Sequence, residues 1–279
     1  MTEKWINKIA IITGSSSGIG YAIFKQFVSH GIITIGLDVK IENTQKLIQE
    51  LSSSSKVNCY AYECDISKED SVNEVFEKIE KKFGAVHILV NNAGIGRKAE
   101  ILDNDEQSLI NINQVIDTNF RGLLMCTRKA YHLISKTNDY GLIININSVA
   151  GHLIPFVPFS MNDEALNHPQ ARTPTQIFPY FISMNVYCST KHAVTALTES
   201  IRQELFRAGN KKIRIASVSP GLVDSSFSPS SGYFENNDCL KDVPMLNPIE
   251  IAKCVMFILS TPYEVSVSEM IVRSTGEQF

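Results

Sequence analysis

The sequence lacks several features that would place it in other classes of protein. Its 279 residues include no run of basic side chains and the formal net charge is −3, so the charge pattern does not favour nucleic acid or an anionic membrane as a partner. The six cysteines form no CxxC pair and no metal-ligand cluster, which predicts reduced thiols, no bound metal and a cytoplasmic location. No apolar run reaches the length of a membrane span, and no signal-peptide core precedes the first apolar run.

The chain does contain a regular alternation of apolar strand patterns and amphipathic helix patterns. Strands are predicted at residues 9–12, 32–37, 57–62, 86–90, 142–146, 213–218 and 270–272. Helical patterns separate them, among them a long one over 106–136, another over 186–207, and one that Ser67 is predicted to cap. This alternation predicts a single α/β domain over residues 1–279, a Rossmann-type doubly wound parallel sheet with helices on both faces.

A glycine-rich turn joins the first strand to the first helix. The segment from Thr13 to Gly20 has glycines at 14, 18 and 20, with Ser17 and Ile19 between them. Glycine lets the backbone bend sharply and lets a pyrophosphate approach the amides at a helix N-terminus. The loop, comprising Gly14, Ser17, Gly18, Ile19 and Gly20, is therefore predicted to bind the phosphates of a dinucleotide.

Asp38 ends the second strand eighteen residues after Gly20. A carboxylate at this place accepts hydrogen bonds from an adenosine ribose 2′-hydroxyl and repels a 2′-phosphate, so it predicts NAD as the cofactor. The alternative interpretation is an ordinary helix-capping or turn aspartate. Lys40, two positions later, keeps NADP open as the second choice of cofactor.

Tyr187 and Lys191 stand four residues apart within a helical pattern, so their side chains project from the same helix face. A nearby cation favours the phenolate, and Lys191 is predicted to lower the pKa of Tyr187 in this way. A tyrosine tuned toward its working pH exchanges a proton with an alcohol or a carbonyl group. Taken alone, the pair is also consistent with a solvated helix surface.

Two stretches exceed what a minimal domain of this class needs. Residues 152–186 are rich in proline and aromatic residues and form an insertion, predicted to be a lid or a contact with a neighbouring subunit. Residues 224–246 carry Phe227 among polar and turn residues and are predicted to form a substrate-binding lid loop.

Taken together, these motifs resemble the short-chain dehydrogenase/reductase family. The resemblance covers the chain apart from the two stretches above. Its motifs are Thr13-Gly14-x3-Gly18-Ile19-Gly20, Asp65, Asn91-Asn92-Ala93-Gly94, Asn119, Ser148, Tyr187-x3-Lys191 and Pro220-Gly221-Leu222-Val223-x-Ser225. More narrowly, Gly151-His152 and the tail Met270-Ile271-Val272-Arg273 resemble the dehydrogenase/reductase member 11 branch, which includes insect farnesol-dehydrogenase-like enzymes.

The resemblance implies a catalytic set of four residues. Ser148 would hold the substrate oxygen and Tyr187 would be the acid/base. Lys191 would lower the pKa of Tyr187 and bind the nicotinamide ribose, and Asn119 would hold a water for proton exit. Further cofactor contacts are implied for Asp65, Ile66, Asn91, Ala93, Gly94, Pro220, Gly221, Val223 and Ser225.

We therefore expect an NAD-dependent oxidoreductase that interconverts an alcohol and its aldehyde or ketone. Family analogy favours an apolar isoprenoid or terpenoid alcohol such as farnesol, and a homodimer or homotetramer. One alternative is an NADP-dependent carbonyl or hydroxysteroid reductase, because the member 11 branch resembles NADP-using enzymes. The alternative from another class is a catalytically silent dinucleotide-binding protein whose site the insertion has closed.

Overall fold

The computed structural model describes residues 2–54, 58–154, 184–231 and 244–277. Within these residues, seven parallel strands form one sheet in the order β3-β2-β1-β4-β5-β6-β7. The strands are β1 (Ile9–Thr13), β2 (Ile33–Asp38), β3 (Cys59–Glu63), β4 (Ile88–Asn91), β5 (Gly141–Ile146), β6 (Ile213–Pro220) and β7 (Glu269–Val272). The order reverses direction between β1 and β4, which places a ligand-binding crevice at that point of a doubly wound sheet.

Helices cover both faces of this sheet. They are α1 (Gly18–Ser29), α2 (Glu42–Ser54), α3 (Glu69–Phe83), α4 (Glu106–Ile116), α5 (Leu123–Lys136), α6 (Asn185–Arg207), α7 (Phe227–Ser231) and α8 (Pro248–Ser260). One apolar core lies between the sheet and α1 with α8, and a second lies between the sheet and α3 with α5. The predicted fold class, a doubly wound α/β sheet, is therefore confirmed.

Strand β1 shows why its sequence is apolar throughout instead of alternating. Ala10 and Ile12 pack into the first core, whereas Ile9 and Ile11 pack into the second. Because both faces of a parallel sheet are covered by helices, each successive side chain is buried on one side or the other. All five residues of β1 are buried as a result.

The predicted elements agree with the structure except in detail. The predicted helix over 106–136 comprises α4, a π-helical segment at Asp117–Gly122, and α5. The predicted cap at Ser67 is wrong, because α3 begins at Glu69 with Lys68 at its N-cap. Ser67 instead donates hydrogen bonds from its backbone amide and its hydroxyl to Asp65 Oδ1, at 2.9 and 2.6 Å. This local turn takes the place of a cap on α3.

Most of the two predicted lid stretches lies outside the described residues. For the predicted insertion at 152–186, the structure describes 152–154 and 184–186. For the predicted loop at 224–246, it describes 224–231 and 244–246, and the first part contains the short helix α7. Across the described parts of the chain, no helix is both long and apolar enough to cross a bilayer, and no cluster of three metal-ligating side chains is found.

Candidate active site

A cavity of about 620 Å³ lies at the carboxyl edge of the sheet. Most of the residues predicted from the sequence line it, although they come from widely separated stretches of chain. They are Gly14, Ser17, Gly18, Ile19, Asp38, Asp65, Ile66, Ala93, Gly94, Ser148, Tyr187, Lys191, Pro220, Gly221, Val223 and Ser225. The parallel strands all end at this edge, which is why motifs distant in sequence meet here.

Three predicted residues lie behind the cavity wall. Gly20 packs against the glycine loop, where a Cβ on it would lie 2.0 Å from the carbonyl oxygen of Gly14. Asn91 is buried and its Nδ2 donates to Thr127 Oγ1 at 2.8 Å and to Asn145 Oδ1 at 2.9 Å. The Asn91 side chain is therefore hydrogen-bonded within the layer between the sheet and the helices and does not line the cavity. Asn119 is the third of these residues.

Asn119 connects the loop after β4 to the helix that carries Tyr187. Its Oδ1 accepts from the Ile95 amide and its Nδ2 donates to the Ile95 carbonyl, both at 2.8 Å. A longer contact of 3.4 Å joins its Nδ2 to Thr190 Oγ1. Asn119 lies within the π-helical segment, a helix irregularity that is often found at functional sites.

The glycine loop is held in place by a residue that the sequence pattern did not single out. The Nδ2 of Asn92 donates to the carbonyl oxygens of Thr13 and Gly14, at 3.0 and 2.9 Å. Gly14 has φ +67°, and a Cβ there would approach Ala93 Cα to 2.9 Å. Asn92 also lines the cavity. In the sequence, the only sign of this role was that Asn92 stands beside Asn91 in one motif. Strand pairing decides whether the Asn91 or the Asn92 side chain faces the glycine loop, and the sequence does not show this.

Asp38 has fixed partners within the chain. Its Oδ2 accepts a hydrogen bond from the Ser16 amide at 3.0 Å, and its Oδ1 accepts one from the Lys40 amide at 3.1 Å. The carboxylate thus orients the turn at the start of the glycine loop, as the turn-aspartate interpretation predicts. It also lines the cavity, and each carboxylate oxygen retains a lone pair for another donor.

Tyr187, Lys191 and Ser148 come together where α6 meets the end of β5. Tyr187 and Lys191 are 8% and 6% exposed, so the helix face that carries them is buried and the solvated-surface interpretation is wrong. Ser148 Oγ accepts a hydrogen bond from the Ala150 amide at 3.1 Å and lines the same cavity as Tyr187. The Nζ of Lys191 lies 5.6 Å from the centre of the Tyr187 ring and donates to the Ile146 carbonyl at 2.9 Å.

Burial controls the ionisation of this pair. Burial raises the pKa of the Tyr187 phenol well above its ordinary value, and the hydrogen bond from Ser148 acts in the opposite direction. Burial also lowers the pKa of Lys191 to about 8. Desolvation is the largest influence on the Tyr187 phenol, and the lowering of its pKa by Lys191 stays a prediction.

An apolar wall borders the Tyr187 side of the cavity. It consists of Ala150, Met184, Leu222 and Phe227, which pack with Tyr187 and Cys188. The Phe227 ring lies 5.3 Å from the Tyr187 ring, centre to centre, at an angle of 51°. Arg97 Nη1 donates to the Ser230 carbonyl at 3.1 Å and so connects the loop after β4 to α7. Met184 was not predicted as a site residue from the sequence, because the proline-rich stretch around it shows no hydrophobic periodicity.

Comparison with known proteins adds to this geometry. A family model described as short chain dehydrogenase matches residues 8–160 and 177–234. The chain belongs to the short chain dehydrogenase family. Farnesol dehydrogenase of Aedes aegypti is 37% identical over 277 residues, which cover 99% of this chain and 100% of that protein. Dehydrogenase/reductase SDR family member 11 of Mus musculus is 32% identical over 286 residues, covering 99% and 97%.

Solved structures of other dehydrogenases share the same architecture. An alcohol dehydrogenase from the archaeon Thermococcus sibiricus, complexed with 5-hydroxy-NADP, aligns with a TM-score of 0.74 at 26% identity, covering 98% of each chain. A serine dehydrogenase complexed with NADP+ aligns with a TM-score of 0.76 at 24% identity and covers 97% of this chain and 96% of its own. As a family member with these relatives, the protein is an oxidoreductase of the alcohol dehydrogenase type.

Proposed function

We propose that this protein is an NAD-dependent dehydrogenase that interconverts an apolar isoprenoid alcohol, such as farnesol, with its aldehyde. The observation that carries the proposal is the meeting of Ser148, Tyr187 and Lys191 beside an apolar wall in one cavity. The 37% identity to a farnesol dehydrogenase over the whole chain supports the choice of alcohol. A primary alcohol at the end of a long apolar chain matches a site whose polar groups lie at one end and whose wall is hydrophobic.

The residues of the glycine loop fit a dinucleotide. Gly14 and Gly18 both have positive φ and line the cavity, and the N-terminus of α1 begins at Gly18. Asp38 is the basis for choosing NAD, since its carboxylate would repel a 2′-phosphate. The bound dinucleotide would supply the hydride acceptor in alcohol oxidation.

The chain's own residues would position the substrate and move its proton. Ser148 would donate a hydrogen bond to the substrate oxygen and stabilise the charge that develops on it. Tyr187 would exchange a proton with the same oxygen. Because burial favours the protonated phenol, the phenol is ready to act as an acid toward a carbonyl. For alcohol oxidation it needs a nearby positive charge to ionise, and Lys191 is the buried cation that would supply part of it.

Tyr187→Phe tests this assignment. We expect kcat for farnesol oxidation to fall about 10²- to 10⁴-fold, the usual contribution of a positioned acid/base, while the dissociation constant for NADH changes less than about threefold. Tyr131→Phe, at a residue of α5 that is 37% exposed and does not line the cavity, is a matched control that should retain full activity. Undiminished turnover by the Tyr187 variant would refute the role of Tyr187. NADH binding with no turnover of any alcohol by the wild-type protein would favour the silent dinucleotide-binding protein instead.

The second candidate is an NADP-dependent carbonyl reductase. The archaeal alcohol dehydrogenase that aligns over 98% of the chain was solved with 5-hydroxy-NADP, which favours this alternative. Parallel fluorescence titrations with NADH and NADPH separate the two candidates. Tighter binding of NADPH would mean that Asp38 acts only on the turn and that carbonyl compounds should be screened first.

We further propose a cytoplasmic homodimer or homotetramer. The resemblance to a family in which α5-like and α6-like helices pair between subunits supports this assembly. The five cysteines within the described residues are all free thiols, which suits a reducing compartment. Light scattering of the purified protein would measure the subunit number, and a monomeric mass would contradict this part of the proposal.

A further inference from the structure

Two asparagines interrupt the otherwise apolar end of β5. Asn145 and Asn147 stand two residues apart and so project to the same face of the strand, and they are 0% and 4% exposed. Asn145 Nδ2 donates to Thr198 Oγ1 at 2.9 Å, and Asn147 Nδ2 donates to Thr195 Oγ1 at 2.8 Å. We call these two contacts the Asn–Thr ladder. It joins the strand that leads to Ser148 with the helix that carries Tyr187.

The order of the contacts has a geometric meaning. As the strand number rises from Asn145 to Asn147, the helix number falls from Thr198 to Thr195, so α6 runs antiparallel to β5. Lys191, one turn before Thr195, also bonds this segment, because its long side chain reaches back to the Ile146 carbonyl. The same helix face, followed one turn further, brings Tyr187 to Ser148. The Asn–Thr ladder therefore lies next to Ser148 on the strand side and to Tyr187 on the helix side.

Thr195 holds the chain on both sides of Ser148. Its hydroxyl accepts from Asn147 and donates to the Gly151 carbonyl at 3.0 Å. A Cβ on Gly151 would lie 2.7 Å from Asn147 Nδ2 and 2.8 Å from the Lys191 carbonyl oxygen. The turn that follows Ser148 thus packs directly on α6, and a glycine is needed for that close approach.

Hydrogen bonds of this kind specify a register that apolar packing alone does not. Apolar contact is non-directional, and a helix that slips by one residue moves about 1.5 Å and rotates by about 100°. Such a slip would leave the buried side-chain amides of Asn145 and Asn147 without partners, which is unfavourable in a protein interior. Asn145 Oδ1 also accepts a hydrogen bond from Asn91 Nδ2 at 2.9 Å, so the strand side of the ladder is anchored within the sheet.

We infer that Thr195 and Thr198 are positioning residues that, through Asn147 and Asn145, set the register of α6 against β5 and thereby bring Tyr187 to Ser148. This inference rests on the catalytic roles proposed above. Neither threonine contacts the reacting atoms. A displacement of about 1 Å at a reacting centre costs as much as 10²-fold in rate, so the effect of losing the ladder is measurable.

The test compares Thr195→Val and Thr198→Val with Thr195→Ser and Thr198→Ser, which keep the hydroxyl. We expect kcat to fall at least tenfold in both valine variants, with less than a threefold change in substrate KM, and to recover to within about threefold of wild type in the serine variants. Thr127→Val is the matched control, because it removes a buried threonine hydroxyl that lies on α5 and is hydrogen-bonded to Asn91, not to the two asparagines of the ladder. Its kcat should stay within twofold of wild type.

Amide hydrogen exchange gives a readout that does not depend on activity. Protection over residues 185–199 should decrease in the Thr195→Val variant and not in the Thr127→Val variant. Equal kcat values for the Thr195, Thr198 and Thr127 valine variants, or equal exchange over 185–199 in the Thr195 and Thr127 valine variants, would overturn the inference. If the wild-type protein oxidised no alcohol, the proposed function would fail while the exchange comparison still decided the role of the ladder.

Discussion

The Lys191 ammonium donates a hydrogen bond to the carbonyl oxygen of Ile146 at 2.9 Å, two residues before Ser148. A buried lysine thus connects the helix with Tyr187 to the last residue of β5. The single backbone acceptor replaces only part of the hydration that a charged amine has in water. The low pKa of Lys191, about 8, follows from that burial.

Lys191→Met should remove a pH dependence of stability. The pKa of Lys191 is about 8 in the folded chain against an ordinary value of 10.5, so between these values the unfolded chain binds more protons. The unfolding free energy of the wild type should therefore rise with pH across this window relative to the variant, by up to roughly 3 kcal/mol. Urea denaturation at pH 7.5 to 10.5, without added dinucleotide, measures the difference. A constant difference would show that Lys191 does not titrate there.

Asp38→Asn should shift the choice of dinucleotide. The substitution removes the charge but keeps one oxygen that can accept from the Ser16 amide, so it disturbs the loop less than alanine would. We expect the ratio of NADPH affinity to NADH affinity to rise at least tenfold, because the repulsion of a 2′-phosphate is lost. Titration of both reduced dinucleotides measures the ratio. Asp65→Asn removes a second carboxylate from the same cavity and should change both affinities alike.

Phe227→Ala should reduce the use of long apolar alcohols. Phe227 packs against Tyr187, and loss of its contact with an apolar chain is worth roughly 1.5–3 kcal/mol. We expect kcat/KM for farnesol to fall about 10- to 100-fold and kcat/KM for a short alcohol to change less than about threefold. Phe206→Ala is the control, because Phe206 is 80% exposed on the far part of α6. An equal loss for both alcohols would assign Phe227 to the positioning of Tyr187 instead.

Gly20→Ala should displace the glycine loop by a clash on the side that faces away from the cavity. The added Cβ would lie 2.0 Å from the Gly14 carbonyl oxygen and 2.4 Å from Asn92 Nδ2, so the loop backbone must move. We expect a loss of about 1–3 kcal/mol in unfolding free energy and at least tenfold weaker NADH binding, measured by thermal unfolding and fluorescence titration.

Gly84→Ala separates a steric effect from the general effect of replacing glycine. Gly84 has φ +70° and no atom within 4 Å of an added Cβ. Its substitution should cost about 1–2 kcal/mol through backbone strain alone and should leave NADH affinity unchanged. Weaker NADH binding in both variants would contradict the local explanation for Gly20.

Some features were predictable because they depend on neighbours in the chain. The strands follow from short apolar runs, and the turn at Gly14 to Gly20 follows from glycine spacing. The four-residue spacing of Tyr187 and Lys191 is sufficient to place both side chains on one helix face. The predicted helix cap at Ser67 is wrong for an equally local reason. Ser67 donates its amide and hydroxyl to the Asp65 carboxylate, two residues away, and does not cap the helix.

The sequence by itself determined the order of strands and helices, the glycine loop and the residue types available at the sheet edge, since periodicity and turn chemistry act over a few residues. Only the tertiary structure decided that Asn91 faces away from the cavity, that burial raises the pKa of Tyr187, and that Asn145 and Asn147 meet Thr198 and Thr195. These partners lie 53 and 48 residues apart along the chain. Such contacts and such burial depend on how the sheet and its helices pack together, and no local pattern records them.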